Sequence, residues 1–162
     1  MPLSLGSPAF VDGGAIPALY TCEGKNISPA LTWSGLPETA RSLVLLVEDP
    51  DAPDPAQPRQ IFVHWLLYNL PVVVSALTEA ILPGALPAGT RQGNNDLQRT
   101  GYSGPCPPIG KHRYYFRLYA LDEVLPDLEH PDKAQLMAAM AGHVVGEAVL
   151  MGTYAKTGVK VP

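Results

Sequence analysis

An aspartate, two histidines and a tyrosine are the side chains of this sequence whose types and spacing suit work on a small anion. Asp49 lies in the run Glu48-Asp49-Pro50-Asp51-Ala52-Pro53, where an apolar segment closes. His64 stands inside the next apolar run, Ile61 to Leu70 (IFVHWLLYNL), and His112 and Tyr114 flank Arg113 in GKHRYY. Side chains of an extended segment alternate between faces, so His112 and Tyr114 share one face and Arg113 takes the other. Imidazole and phenol donors suit a phosphate or another oxyanion, and a carboxylate beside an imidazole favours its charged form. Arg113 is expected to pair with an acid such as Asp51 and so anchor the loop. Just upstream, Gly104-Pro105-Cys106-Pro107-Pro108 supplies a wall whose prolines carry no N–H. An apolar wall with a few converging polar groups is the usual form of a small-ligand site.

Taken singly, each of these residues has a plainer reading: Asp49 as a solvated turn residue, His64 as a core histidine. What joins them is strand pairing. If the segment ending at Asp49 and the one beginning at Ile61 pair antiparallel, both residues lie at the same end of a sheet. Ser42 to Val47 is a continuous apolar run bounded by turn residues, which suits a strand buried on both faces. Ile61 to Leu70 and Tyr114 to Leu121 (YYFRLYAL) are rich in β-branched and aromatic residues and read as strands too. Leu31 to Ser34 and Ala148 to Tyr154 are weaker strand candidates. One helix is expected, opened by a capping box at Asp132 and Gln135, carried by Leu136, Met140 and Val144 at i, i+4 and i+8, and closed near Gly146. On it, Met137 and Met140 read as core filler and His143 as a packing or capping residue, whereas His130 reads as exposed.

Composition narrows the class. Eighteen prolines and fifteen glycines in 162 residues exclude a long-helix or coiled-coil protein, since both residue types break helix interiors. The net charge of −4 leaves no diffuse basic surface for nucleic acid or anionic membranes, so any bound anion needs a local site. No apolar run approaches the roughly 20 residues of a membrane span. MPLSLGSPAF lacks a basic region followed by an apolar stretch, and a soluble cytoplasmic protein is expected. In that setting Cys22 and Cys106 are expected as reduced thiols, with a disulfide as the open alternative. The Gly-rich connection from Leu82 to Thr100 is long for a small domain, and such loops are often functional.

These runs carry a family resemblance. DPDAP (Asp49 to Pro53), FVHW (Phe62 to Trp65) with LLYNLP, and GPCPP followed by GKHRYYFRLYALD resemble the phosphatidylethanolamine-binding protein family, which includes the Raf kinase inhibitor proteins. YTCEGKNISPALTWSGLP, GTRQGNNDLQRTGYSGPCPP and AMAGHVVGEAVLMGTY are similar to its bacterial YbhB/YbcL-like branch. The likeness runs from about Ser7 to Tyr154, so one domain over residues 1–162 is expected. It implies a mainly β, Greek-key fold: a large central antiparallel sheet, a smaller second sheet and one or two peripheral helices.

The resemblance also implies a shallow anion pocket made by Asp49, Pro53, Phe62, His64, Gly104, Pro105, Pro107, Pro108, His112 and Tyr114. Asp51 and Arg113 are structural neighbours in this reading. The loop Asp54 to Ile61 is longer and richer in proline than that branch leads one to expect, and the stretch between Pro108 and His112 is short. These departures should reshape one rim and open the other. The function expected is noncatalytic binding of a phosphate-bearing group (a phospholipid headgroup, a phosphorylated side chain or a nucleotide), with no cofactor, no metal and no nucleic acid. A kinase or protease partner follows from the resemblance, and the Gly89 to Thr100 loop would permit a homodimer. The alternative is a hydrolase or metal-dependent enzyme using the Asp49, His64 and His112 cluster; the absence of a local HxH or HxxxH chelate and of a GxSxG elbow weighs against it.

Overall fold

The computed structural model describes residues 2–157. Its chain order is β1 (Ser4–Gly6), β2 (Leu31–Ser34), β3 (Ser42–Ala52), β4 (Gln60–Leu70), β5 (Ala76–Leu77), β6 (Arg91–Gln92), β7 (His112–Leu121), α1 (Lys133–Met140) and β8 (Val144–Tyr154). Five strands form an antiparallel sheet in the order β6-β4-β3-β7-β8, and β1, β2 and β5 form a small second sheet. β3 and β4 are a hairpin, after which the chain returns over a long connection to lay β7 beside β3. That crossover is the Greek-key element expected above.

β3 is apolar from Leu43 to Val47 because both of its faces are covered there. Leu43, Leu45 and Val47 join Trp65, Leu67, Phe116 and Leu118 beneath the small sheet, where Leu31, Trp33 and Leu77 close the layer. Val44 and Leu46 point to the other face, against Leu66, Tyr68, Leu125, Leu136 and Met140. On that second face the buried Glu48 holds Arg117 at 2.8 Å and Lys133 at 2.5 Å, which ties the start of α1 to the sheet.

The capping box forms as expected: Asp132 accepts from the Gln135 N–H, and the Gln135 side chain accepts from the Asp132 N–H. The helix, however, ends at Met140. Gly142 takes a left-handed conformation (φ 82°), and the following residues are drawn into a long pairing with β7 from Val144 to Tyr154. Val144 therefore belongs to β8, and the strand expected from Ala148 starts earlier. Met140 is buried, whereas Met137 is 37% exposed and fills no core position. His143 sits in the α1–β8 turn rather than on the helix, with Nδ1 2.9 Å from Asp122 and Nε2 3.3 Å from Glu123. His130 is exposed, as expected.

Candidate functional site

The register of β4 against β3 builds the site. Val47 pairs with Trp65 and Glu48 with Val63, which leaves His64 as the extra residue of a β-bulge. A bulge re-aims side chains locally. Here it keeps His64 on the side of Phe62 while Trp65 still enters the core. Asp49 pairs with Phe62 and lies within β3 rather than at its end, because the strand continues to Ala52. On the other neighbour of β3, His112 and Tyr114 are buried and Arg113 faces out, the alternation that the sequence predicts.

These residues surround a cavity of about 320 Å³. Asp49, Pro53, Phe62, His64, Gly104, Pro107, Pro108, His112 and Tyr114 all line it. Pro105 does not: it is buried, and its carbonyl accepts from the Cys22 N–H, so it fastens the wall from behind. Cys106, from the same proline-rich wall, lines the cavity as well, as do Ala52, Gln60, Leu97 and Ser103, four residues that did not stand out in the sequence. Leu97 comes from the Leu82 to Thr100 connection, whose Asp96 holds the Val63 N–H at 2.7 Å and so locks the loop onto β4. The rim from the proline-rich loop is made by Pro53 and Gln60. The short stretch before His112 folds back onto that residue, with the Ile109 carbonyl 2.8 Å from its Nε2.

His112 is held from both ends. Its Nδ1 lies 2.5 Å from Asp49 Oδ2, and its Nε2 lies 2.8 Å from the Ile109 carbonyl and 3.1 Å from the Pro53 carbonyl. Carbonyl oxygens only accept, so Nε2 carries a hydrogen, and the Asp49 carboxylate asks for another on Nδ1. Burial pushes the imidazole down, but the hydrogen bond and charge of Asp49, with the Ile109 carbonyl and Asp51, outweigh it; the net direction is up. His112 thus has both ring nitrogens on protein acceptors and no spare N–H, and any charge it carries is balanced by Asp49. This corrects the expectation that both imidazoles donate to a guest: the β7 register spends both nitrogens of His112 on the protein.

The remaining groups differ. His64 Nδ1 lies 2.7 Å from the Ser103 carbonyl, and burial pushes this imidazole down. Its ring meets Phe62 at 4.9 Å and Tyr114 at 5.4 Å between centroids. The Tyr114 hydroxyl is buried with no hydrogen-bond partner among the described residues. Burial, then the nearby Asp49 charge, pushes the Tyr114 phenol up, so it stays a donor. Arg113 grips Asp51 through two parallel bonds, Nε to Oδ2 at 2.9 Å and Nη2 to Oδ1 at 2.8 Å, and its backbone N–H adds a third. That pairing, with the Arg113 hydrogen bond as its main cause, holds the Asp51 carboxyl below its ordinary range. Asp51 and Arg113 are outside the cavity lining and brace the β3–β7 end, the role expected of them.

The back wall depends on two features the sequence left open. Cys22 and Cys106 form a disulfide, so the expectation of reduced thiols is overturned. Tertiary structure lays the Ser103 to Cys106 segment along Tyr20 to Cys22 and brings the sulfurs together from 84 positions apart. Gly104 is the point of closest approach. Its N–H donates to Asn26 Oδ1 at 2.7 Å, and a Cβ there would fall 2.2 Å from the Tyr20 carbonyl oxygen. Among the described residues no group of three or more His, Cys, Asp or Glu side chains is placed to hold a metal ion.

Comparison with known proteins identifies the family and the fold. The family model for phosphatidylethanolamine-binding protein matches residues 6–155. The chain belongs to the phosphatidylethanolamine-binding protein family. A UPF0098 protein of Methanothermobacter thermautotrophicus is 50% identical over 154 residues, covering 94% of this chain and 98% of that one. A crystal structure of a phosphatidylethanolamine-binding protein homologue from Chlamydia trachomatis superposes with a TM-score of 0.86 at 48% identity, covering 96% of this chain and 98% of the other. Escherichia coli YbcL, described as a member of the mammalian PEBP family, gives a TM-score of 0.85 at 29% identity over 97% and 100% of the two chains. Two antiparallel sheets with one α-helix are thus the fold of this phosphatidylethanolamine-binding protein family member, as its sequence predicts. No helix among its described residues is long and apolar enough to cross a membrane.

Proposed function

We propose that this protein is a noncatalytic binding module whose cavity takes a small oxyanion, foremost a phosphate-bearing group. The observation that carries the reading is the Tyr114 hydroxyl, a buried donor without a partner among the described residues, lining the cavity beside the Asp49–His112 pair. Leaving such a group unpaired costs about 1–3 kcal/mol, and a guest oxygen would recover it. A donor from Tyr114 and the apolar Phe62, Pro107 and Pro108 walls give an anion a partner and shelter from water, while His112 offsets the charge of the Asp49 carboxylate beside it. With both nitrogens of His112 occupied, the Asp49–His112 pair has no free nitrogen for general-base work.

Isothermal titration with phosphoethanolamine and with phosphotyrosine tests this. Tyr114→Phe removes one oxygen and no volume of consequence; affinity should fall about tenfold, the worth of one hydrogen bond. Unchanged affinity in a folded variant refutes the site. Regulation of a kinase or protease is a proposal that rests on the family, and a homodimer one that rests on the Gly89 to Thr100 loop; pull-downs against both enzyme classes and light scattering check them. A cytoplasmic location must accommodate the Cys22–Cys106 bridge, since reducing cytosols keep most thiols unpaired. Thiol labelling of the protein in cell lysate decides that point.

A further inference from the structure

The donors and acceptors left free in the cavity define more than an anion. His64 Nδ1 faces the Ser103 carbonyl at 2.7 Å, and a carbonyl cannot donate, so the ring hydrogen sits on Nδ1. In a neutral ring Nε2 is then a bare lone pair, and Nε2 has no protein partner among the described residues. His64 is 6% exposed and lines the cavity, so this nitrogen is left for a guest. The groups around it are Asp49 on β3, His112 and Tyr114 on β7, Phe62 on its own strand and Asp96 from the loop against β4. Asp49 and Asp96 favour a charged His64 while His112 opposes it, and desolvation outweighs the rest. The free cavity therefore presents Tyr114 Oη–H as a donor and His64 Nε2 as an acceptor beside the Asp49–His112 pair, with the adaptable Ser103 hydroxyl and Gln60 amide also in its lining.

A phosphate dianion is all acceptor and would set an oxygen lone pair against the lone pair of His64. A hydrogen phosphate or a phosphomonoester monoanion fits both partners at once: its P–OH donates to His64 Nε2 and another oxygen accepts from Tyr114. We propose that the cavity selects phosphomonoesters and inorganic phosphate over phosphodiesters, binding them with one proton held between the phosphoryl group and His64. This rests on the oxyanion reading above and adds its ligand class. A diester has no P–OH, so its binding must first draw a proton onto the buried His64.

The proton count tests it. Titration of phosphoethanolamine at pH 8, in buffers of different ionisation enthalpy, should show about one proton taken up per ligand, because the second ionisation of a phosphomonoester lies near pH 6. Affinity should fall about tenfold per pH unit from pH 7 to 8 and level off near pH 5.5. Glycerophosphoethanolamine, a diester with the same amine, should bind at least tenfold more weakly at pH 6. In the free protein, nitrogen-detected NMR of the histidine rings should show His64 as the Nδ1–H tautomer at pH 7. Binding at pH 8 without proton uptake, equal affinity for mono- and diester, or an Nε2–H tautomer overturns the proposal. Absence of binding by every probe between pH 5.5 and 8 overturns the oxyanion reading itself, so the two failures are distinguishable.

Discussion

Asp49→Asn isolates the pair on which the charge of the cavity depends. The side chains of Asp49 and His112 are 4% and 1% exposed, so water screens their interaction little. Breaking a buried pair by removing one partner costs about 3–5 kcal/mol. Asparagine keeps an oxygen for the Asp51 N–H, which Asp49 Oδ1 accepts at 2.7 Å, and its amide can donate to a deprotonated Nδ1. The loss should therefore lie at the low end, about 3 kcal/mol, and the Tm should fall by about 6–12 °C for a domain of this size. The charge effect is sharper than the stability effect. Burial is the largest single influence on His112, and it acts downward; Asp49 supplies the two strongest opposing influences. Without Asp49 the net direction should reverse, and NMR titration should show His112 below its ordinary value instead of above it.

Stability against pH gives a second readout of the same variant. A histidine raised in the folded state contributes stability fully below its unfolded value and loses it as pH rises through the folded value. The parent protein should accordingly lose stability as pH climbs above about 6.5, the ordinary histidine value. Asp49→Asn should lack that decline, and urea melts at a series of pH values measure both curves. If His112 titrates alike in parent and variant, Asp49 does not set its charge and the account of the cavity fails.

Three further outcomes follow from the surroundings of the site. The Asp51–Arg113 pair has the same chemistry, but Arg113 is 50% exposed, so Asp51→Asn should cost about 1 kcal/mol, well under Asp49→Asn, in the same urea melts. Replacing Cys22 and Cys106 together by serine frees a loop spanning 84 positions; the chain-entropy model gives a loss of about 4–5 kcal/mol, read as a Tm drop that a reductant reproduces in the parent. Gly104→Ala forces the back wall away from the Tyr20 carbonyl, and phosphoethanolamine affinity should drop more than tenfold while far-UV circular dichroism stays that of a β protein. A variant that binds like the parent would show that the wall tolerates the shift.

Much of this molecule was legible from local pattern. Alternation placed His112 and Tyr114 on one face and Arg113 on the other, because a strand has a period of two whatever surrounds it. The unbroken apolar run of β3 announced burial on both faces, and the capping box fixed the start of α1 through contacts within four residues. The long, ordered runs around Asp49, His64 and His112 were enough to indicate the family. What the sequence could not show depends on partners distant in the chain. The end of α1 was misplaced because pairing with β7 claimed Val144 for β8, a gain invisible to helical periodicity. The Cys22–Cys106 bridge, and the anchoring of Gly104 by Asn26, exist because one loop lies along another. The protonation of the two histidines was decided in the same way. Which carbonyl faces which ring nitrogen is a matter of register and bulge geometry. That alone spends both nitrogens of His112 on the protein and leaves His64 Nε2 without a partner among the described residues.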